Sequence, residues 1–351
     1  MNSAPRPRAR RSCIGLALLG LAVRGAAQGP PLPAGMTPTT QASVQRGLEW
    51  LVRAQDGHGA WRDAGGHGGA PVPMTSLAGM AFVANGSTPT RGAYWQQVRG
   101  AVDYLLAQAD GDTGLIAVRG EDAVPMFGHG FATMFLASVF GMEEDVAKQQ
   151  RLQATLQRAV RLIESAQSVA GGWYYTPGAN DDEGSVTVTQ LQALRACSLA
   201  GIQVDARTIA RAVDYLRRCQ NDDGGIRYRL GAPGESRPAI TAAGITALYS
   251  AGVYDDQAFV DKAHRYCQRT LQVRVDTTGH HGYAHHYWSQ ALYQRGGREW
   301  DDYYPGIAAW LLEHQARDGS WEGDGVGRVY GTAIALQTLQ LPLALVPIHQ
   351  R

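Results

Sequence analysis

Six times along this chain an amphipathic run ends in glutamine, a glycine-rich turn follows, and a run apolar on nearly every face comes next. QDGHGAW (55–61), QSVAGGW (167–173) and QARDGSW (315–321) place Trp six residues after Gln. QNDDGGI (220–226) keeps the spacing with Ile, QADGDTGL (108–115) carries one extra residue, and Gln268, after RYC, marks a degenerate copy. The glutamines at 55, 108, 167, 220, 268 and 315 are 53, 59, 53, 48 and 47 residues apart. Six copies at so even a step specify a helical repeat architecture. The turn chemistry is local: Asp318 favours a turn, and Gly319 is expected in the left-handed conformation that ends a helix.

The runs before each Gln, such as VQRGLEWLVRAQ and IARAVDYLRRCQ, repeat apolar residues at three- and four-residue intervals, so each is a helix with one buried face. The runs after each turn, such as MTSLAGMAFVA, GFATMFLASVF and PAITAAGITALYSAG, are apolar all round and read as interior helices. Short turns make partners antiparallel. Six outer and six inner helices can close into a ring or form an open solenoid. An open array needs polar end caps, and the last copy, LQTLQLPLALV, is as apolar as the middle ones, which favours closure. The expected fold is all-α, a closed α/α toroid of six helical hairpins over residues 41–342.

The ends read differently. Residues 1–27 hold five arginines, no acid, a short apolar run CIGLALLGLAV and small residues before a cleavage point near Ala27, the form of a secretory signal peptide. The run is too short to span a bilayer, so the mature chain is expected to be exported, periplasmic or extracellular, with no transmembrane span. Its removal takes the formal charge from +1 to −4 and leaves no basic stripe, which argues against nucleic acid. Residues 28–40 form a Pro-rich lead-in and 343–351 a C-terminal tail. Of the remaining cysteines, Cys197, Cys219 and Cys267, an odd number, at least one is free, and buried small hydrophobe is the expected role.

The Gln–Asp-Gly–Trp frame resembles the repeat of the prenyltransferase and squalene-oxidase (triterpene cyclase) superfamily, and GSVTVTQLQALRACSLAG, RPAITAAGITALYSAG and YAHHYWSQALYQRGGREW look closest to a secreted bacterial branch of it. The resemblance covers nearly the whole mature chain. It implies a ring of six inner and six outer helices with a central cavity, and it makes Gln315 and Trp321 structural clamps. It also implies two chemistries, and neither set of residues is present. No D-x-D-D occurs, and Glu183-Gly184-Ser185-Val186 stand where the proton-donating motif of the cyclases would fall. Gly282, Ala284 and Gly331 stand at the zinc-ligand positions of the protein prenyltransferases.

The residues expected at the cavity mouth are those just inside the inner helices: His129, Ser185, Thr187, Arg237, Thr241, His285, His286, Tyr287, Arg328 and Tyr330. Converging helix N-termini are expected to make that mouth mildly positive. The stretch DTTGHHGYAHHYW (276–288) holds four of the ten histidines. His281 and His285, four apart, are the one pair spaced for zinc. His58 and His67 lie in a glycine turn and are expected in solvent. Arg237 and Arg328 could hold an anionic head group or bridge a neighbouring carboxylate. Two functions remain. One is a binding toroid for an extended apolar or isoprenoid-like lipid, or a peptide. The other is a periplasmic enzyme acting on a terpenoid or polysaccharide through Glu183, His285, His286 and Arg237. Convergence of those four side chains separates the two.

Overall fold

A computed structural model of the chain describes Met1 and residues 32–63, 70–231, 233–254 and 256–349. The segment expected to be a signal peptide, apart from Met1, and His67 lie outside the described residues. The chain divides into two units, 1–32 and 33–351, and all described helices belong to the second.

Twelve helices occur among the described residues. The outer set is α1 (Pro38–Ala54), α3 (Trp95–Ala107), α5 (Val146–Ser165), α7 (Ala206–Arg218), α9 (Gln257–Thr270) and α11 (Arg298–His314). The inner set is α2 (Pro71–Ala84), α4 (Pro125–Val139), α6 (Gly184–Leu199), α8 (Pro238–Ser250), α10 (His281–Arg295) and α12 (Arg328–Gln340). Inner helices are buried on every face, as their composition dictates: no residue of α2 is exposed. Each packs on the next in order, and α12 packs back on α2, so the ring closes. Proline opens α1, α2, α4 and α8, where its missing N–H would have no helical partner anyway. The first helix starts at Pro38, capped by the Thr37 hydroxyl, three residues sooner than the hydrophobic pattern indicated.

The closure is made by the repeat frame itself. Gln315 Nε2 donates to the carbonyl of Gly319 in its own turn (2.9 Å) and to that of Ser43 in α1 (2.9 Å). The same fork recurs three times: Gln55 to Gly59 and Gln97, Gln167 to Gly171 and Thr208, Gln220 to Gly224 and Phe259. Each glutamine thus satisfies a carbonyl in the first turns of the next outer helix. Trp61, Trp173 and Trp321 are buried, and each indole N–H donates to a carbonyl of the preceding outer helix, Leu51, Ile163 and Leu311 (2.7–2.8 Å). Gly319 has φ 99°, and a Cβ there would sit 2.5 Å from the Arg46 carbonyl of α1, so only glycine fits.

The fifth repeat departs from the frame. Gln268 is not its clamp: α9 runs on to Thr270, and Gln268 donates to Glu299 on the surface of α11 (2.8 Å). Leu271 takes the C-cap position that Gln55, Gln108 and Gln315 hold in α1, α3 and α11. An apolar side chain cannot fork to two carbonyls, and most of the loop 272–280 is exposed rather than pinned under the next helix.

All three described cysteines are buried and free, which matches their reading as small hydrophobes; burial pushes the Cys197 thiol up to about 12.

Candidate functional site

Several residues expected at a cavity mouth belong to the repeat's packing. Thr75, Thr187, Thr241 and Thr332 each accept, through the hydroxyl, the backbone N–H of the clamp residue in their own hairpin: Trp61, Trp173, Ile226 and Trp321 (2.8–3.1 Å). His129 fills that slot in the second repeat, where its Nδ1 accepts from Ile116 N–H at 3.1 Å. Burial holds its imidazole neutral, down to about 4. His129, Thr187 and Thr241 are fully buried, and they hold the turns rather than a ligand. His285 is the fifth helical residue of α10, as His129 is of α4. Its Nδ1 meets the Tyr303 hydroxyl of α11 at 2.8 Å, and its ring also engages the Gln272 carbonyl.

The mouth is not positive. Inner-helix N-termini carry +0.5 partial charges that favour anions, but carboxylates of this chain already occupy four of them. Asp63 accepts from Val329 and Tyr330 N–H at α12 (3.1 and 2.8 Å), and Asp324 from Gly282 and Tyr283 N–H at α10 (2.9 and 2.8 Å). Asp122 accepts from Val72 N–H at α2. Glu183 caps α6, accepting from Ser185 N–H (2.9 Å), Val186 N–H (2.5 Å) and the Ser185 hydroxyl (2.8 Å). Three of these acids come from the turn of the next repeat. Asp63 and Asp324, two and three residues past the clamp Trp, were the sequence signal for this capping.

Glu183 is also the residue nearest to an acid catalyst. Its side chain is fully buried, and burial raises its pKa against the lowering effect of hydrogen bonds from Tyr228, Val186 and Ser185. The Tyr228 hydroxyl lies 2.7 Å from that of Tyr175. Arg237 stacks over the Tyr228 ring, 4.5 Å from its centroid. Arg328 is held by Asp318 (2.6 Å to Oδ2) and lies over the Trp50 ring, so it bridges a carboxylate rather than facing a cavity. Tyr330 and Tyr287 are buried, the latter against Tyr283 with ring centroids 4.7 Å apart.

The interior of the ring is crossed by side chains. Gln192 of α6 reaches Gln290 of α10 at 3.4 Å, past the intervening α8, and Gln290 meets His286 Nε2 at 2.8 Å. At one end a short 3-10 turn, Pro347–His349, packs on α6 and α10, with Ile348 and His349 buried and the Ile348 carbonyl accepting from Gln294 (3.2 Å). Burial holds His286 neutral, down to about 3, and the facing His349 down to about 4. His285 faces Tyr303, His286 faces Gln290, Glu183 caps α6 and Arg237 lies on Tyr228, so the four-residue constellation does not assemble.

What does assemble is a pocket of 530 Å³ between α10, α11 and α12, beside the irregular fifth repeat. His281, His285 and His286 line it with Trp310, Ile307, Ile334 and Ala335, and Asp276, Glu322 and Asp324 are among its lining. His281 stands between His285 and Trp310, with ring centroids 4.4 Å from each, and His314 stacks on the other side of Trp310 at 4.0 Å. Burial lowers His281 and takes His285 to about 3, so both are neutral near pH 7. His281 and His285 offer two ligands, and among the described residues no group of three or more His, Cys, Asp or Glu could hold a metal ion. Trp310, His314 and Asp324 were not foreseen: Trp310 reads as one more outer-helix aromatic, and only the packing of α11 on α10 turns it to the histidines.

Residues 135–274 match the squalene-hopene cyclase C-terminal domain family. This match and the fold are consistent with the prenyltransferase and terpene cyclase-like superfamily. A curated relative, the terpene cyclase-glycosyl transferase fusion protein fsoA of Humicola fuscoatra, is 35% identical over 107 residues, which span 28% of this chain and 8% of that one. Among solved structures, the type II terpene cyclase MstE from Scytonema superposes with TM-score 0.58 at 17% identity, covering 88% of this chain and 99% of its own. An inactive variant of the α-1,6-mannanase GH76A of Salegentibacter sp. superposes with TM-score 0.63 at 8% identity, covering 87% and 99%. At such identities the likeness is one of fold, and the same ring carries unlike chemistries.

Proposed function

We propose that this protein is an exported binding toroid that keeps the superfamily's ring without its inherited chemistry, and that its ligand sits in the pocket between α10, α11 and α12. One observation carries the reading: Glu183 and Arg237 are each spent on a contact elsewhere, whereas His285 and His286 share one pocket with His281 and Trp310. A volume of 530 Å³ is in the range of small-molecule sites. The neutral imidazoles, the indole and the aliphatic wall suit a ligand with an apolar body, as an isoprenoid-like molecule or an apolar peptide side chain has. Export rests on the composition of residues 1–27.

The test is native mass spectrometry of the mature protein purified from its own exported compartment, beside a Trp310→Ala variant. A co-purifying molecule retained by the parent and lost from the variant supports the reading. A molecule retained equally by both places the ligand elsewhere in the ring.

A second reading, an enzyme with Glu183 as its acid, is favoured by the burial and raised pKa of that carboxyl beside Tyr228 and Tyr175. It requires a Glu183→Gln variant, in which the cap's acceptor oxygen persists, to fold normally and lose turnover of a terpenoid or polysaccharide substrate.

A further inference from the structure

The α10–α11–α12 pocket has a charge character that its apolar wall does not explain. Its lining includes three carboxylates, Asp276, Glu322 and Asp324, and no lysine or arginine. Glu322 is partly offset by Arg328, whose Nε lies 3.4 Å away, but Asp276 and Asp324 have no ion-pair partner among the described residues. Both act on the His281 imidazole, favouring its charged form, yet burial outweighs them and the ring stays neutral. His281, His285 and His286, all lowered by burial, therefore do not cancel the carboxylates. The contrast within the molecule is sharp. A groove of 910 Å³ between α5 and α7 is lined by Arg158, Arg161, Arg207 and Arg211 beside Asp112, Glu164 and Asp205, so acidity is not a general feature of the clefts in this ring.

A second observation is independent of charge. Nε2 of His281 is buried without a hydrogen-bond partner, although the residue is only 8% exposed and lines the pocket. The Val273 carbonyl also acts on this ring as an acceptor; in the tautomer that gives it the N–H at Nδ1, Nε2 bears a lone pair that an N–H donor satisfies. Trp310 lines the same wall, its ring packed against His281 and His314.

We infer that the pocket takes an organic cation, a primary or secondary ammonium on an apolar or aromatic body. The ammonium donates to His281 Nε2, its charge is balanced by Asp276 and Asp324, and its body lies against Trp310, Ile307 and Ile334. The carboxylate oxygens retain acceptor capacity for this: Asp324 spends one contact per oxygen on the α10 cap, and Asp276 Oδ1 holds its own turn through Thr278 and Gly279 N–H. This inference rests on the proposal that the pocket is the binding site, and it adds the sign of the ligand's charge.

The experiment is isothermal titration calorimetry of the mature protein with three probes of matched shape, 2-phenylethylamine, 2-phenylethanol and 3-phenylpropionate, repeated on Trp310→Ala and Asp276→Asn. The expected result is that the amine binds at least tenfold more tightly than the alcohol and that the acid does not bind. Asp276→Asn then weakens the amine several-fold and leaves the alcohol unchanged, a selectivity that a merely structural role for Asp276 would not produce. If the alcohol or acid binds as well as the amine, and Trp310→Ala abolishes that binding, the cation preference is overturned while the pocket remains the site. If no probe binds, or Trp310→Ala changes nothing, the pocket itself is overturned as the site.

Discussion

Replacing Gln315 by Ala removes the fork that ties the turn of the last repeat to α1. The side chain gives up two N–H donations, to Gly319 and Ser43 carbonyls at 2.9 Å each, and two acceptances, from the buried Ser43 hydroxyl at 2.8 Å and from the exposed Arg46 guanidinium. At about 1 kcal/mol net for each neutral bond, the expected loss is about 2–3 kcal/mol. Gln268→Ala is the control of the same chemistry, because its one bond to Glu299 lies on the surface; surface changes of that kind stay within about 0.5 kcal/mol. Urea unfolding followed by far-ultraviolet circular dichroism measures both. A lower midpoint at unchanged slope reports lost stability, and a lower slope for Gln315→Ala reports that the ring now opens at its junction before the rest unfolds. Equal midpoints for the two variants would refute the assignment of Gln315 as the ring-closing clamp.

Thr187→Val is expected to cost about 1–3 kcal/mol, because it leaves the Trp173 N–H buried without an acceptor, and the same urea titration reads it. Gly319→Ala forces a Cβ onto the Arg46 carbonyl at positive φ, and is expected to lower the thermal midpoint more than Gly306→Ala, where a Cβ meets nothing. Stability is expected to fall as pH drops below 6.5. His285 and His286 titrate near 3, and His129 and His349 near 4, when folded, so the unfolded chain takes up protons first. Each contributes up to about 1.4 kcal/mol per pH unit between the ordinary value of 6.5 and its folded one. The raised carboxyls Asp63, Asp122 and Glu183 act in the opposite sense as they protonate and offset part of this loss. Thermal scans from pH 7.5 to 5 check this, and a His286→Gln variant should show the shallower dependence.

The repeat, the pairing of outer with inner helices and the closure of the ring were legible because each copy writes them in local chemistry: a helix period before Gln, a glycine turn, and an apolar run with no polar face. The clamp role of Gln315 and Trp321 came instead from the resemblance to the superfamily's repeat. The fifth copy was misread at Gln268 because the spacing drifts there, and only the extra turn of α9 shows that Leu271 has taken the clamp's place.

The site was far less legible. An inner helix buried on all sides has no hydrophobic period to say which way Thr187, His285 or His286 points, so residues near its start look alike whether they hold a turn, cap a helix or line a pocket. Clamp and slot residues are 11 to 15 positions apart in sequence because the turns differ in length, which hides the pattern until the helices are placed side by side. Sequence alone determined the ring, since closure follows from burial that every repeat demands. Tertiary structure decided the site, since Asp324 reaches α10 and Trp310 meets His281 only across neighbouring repeats.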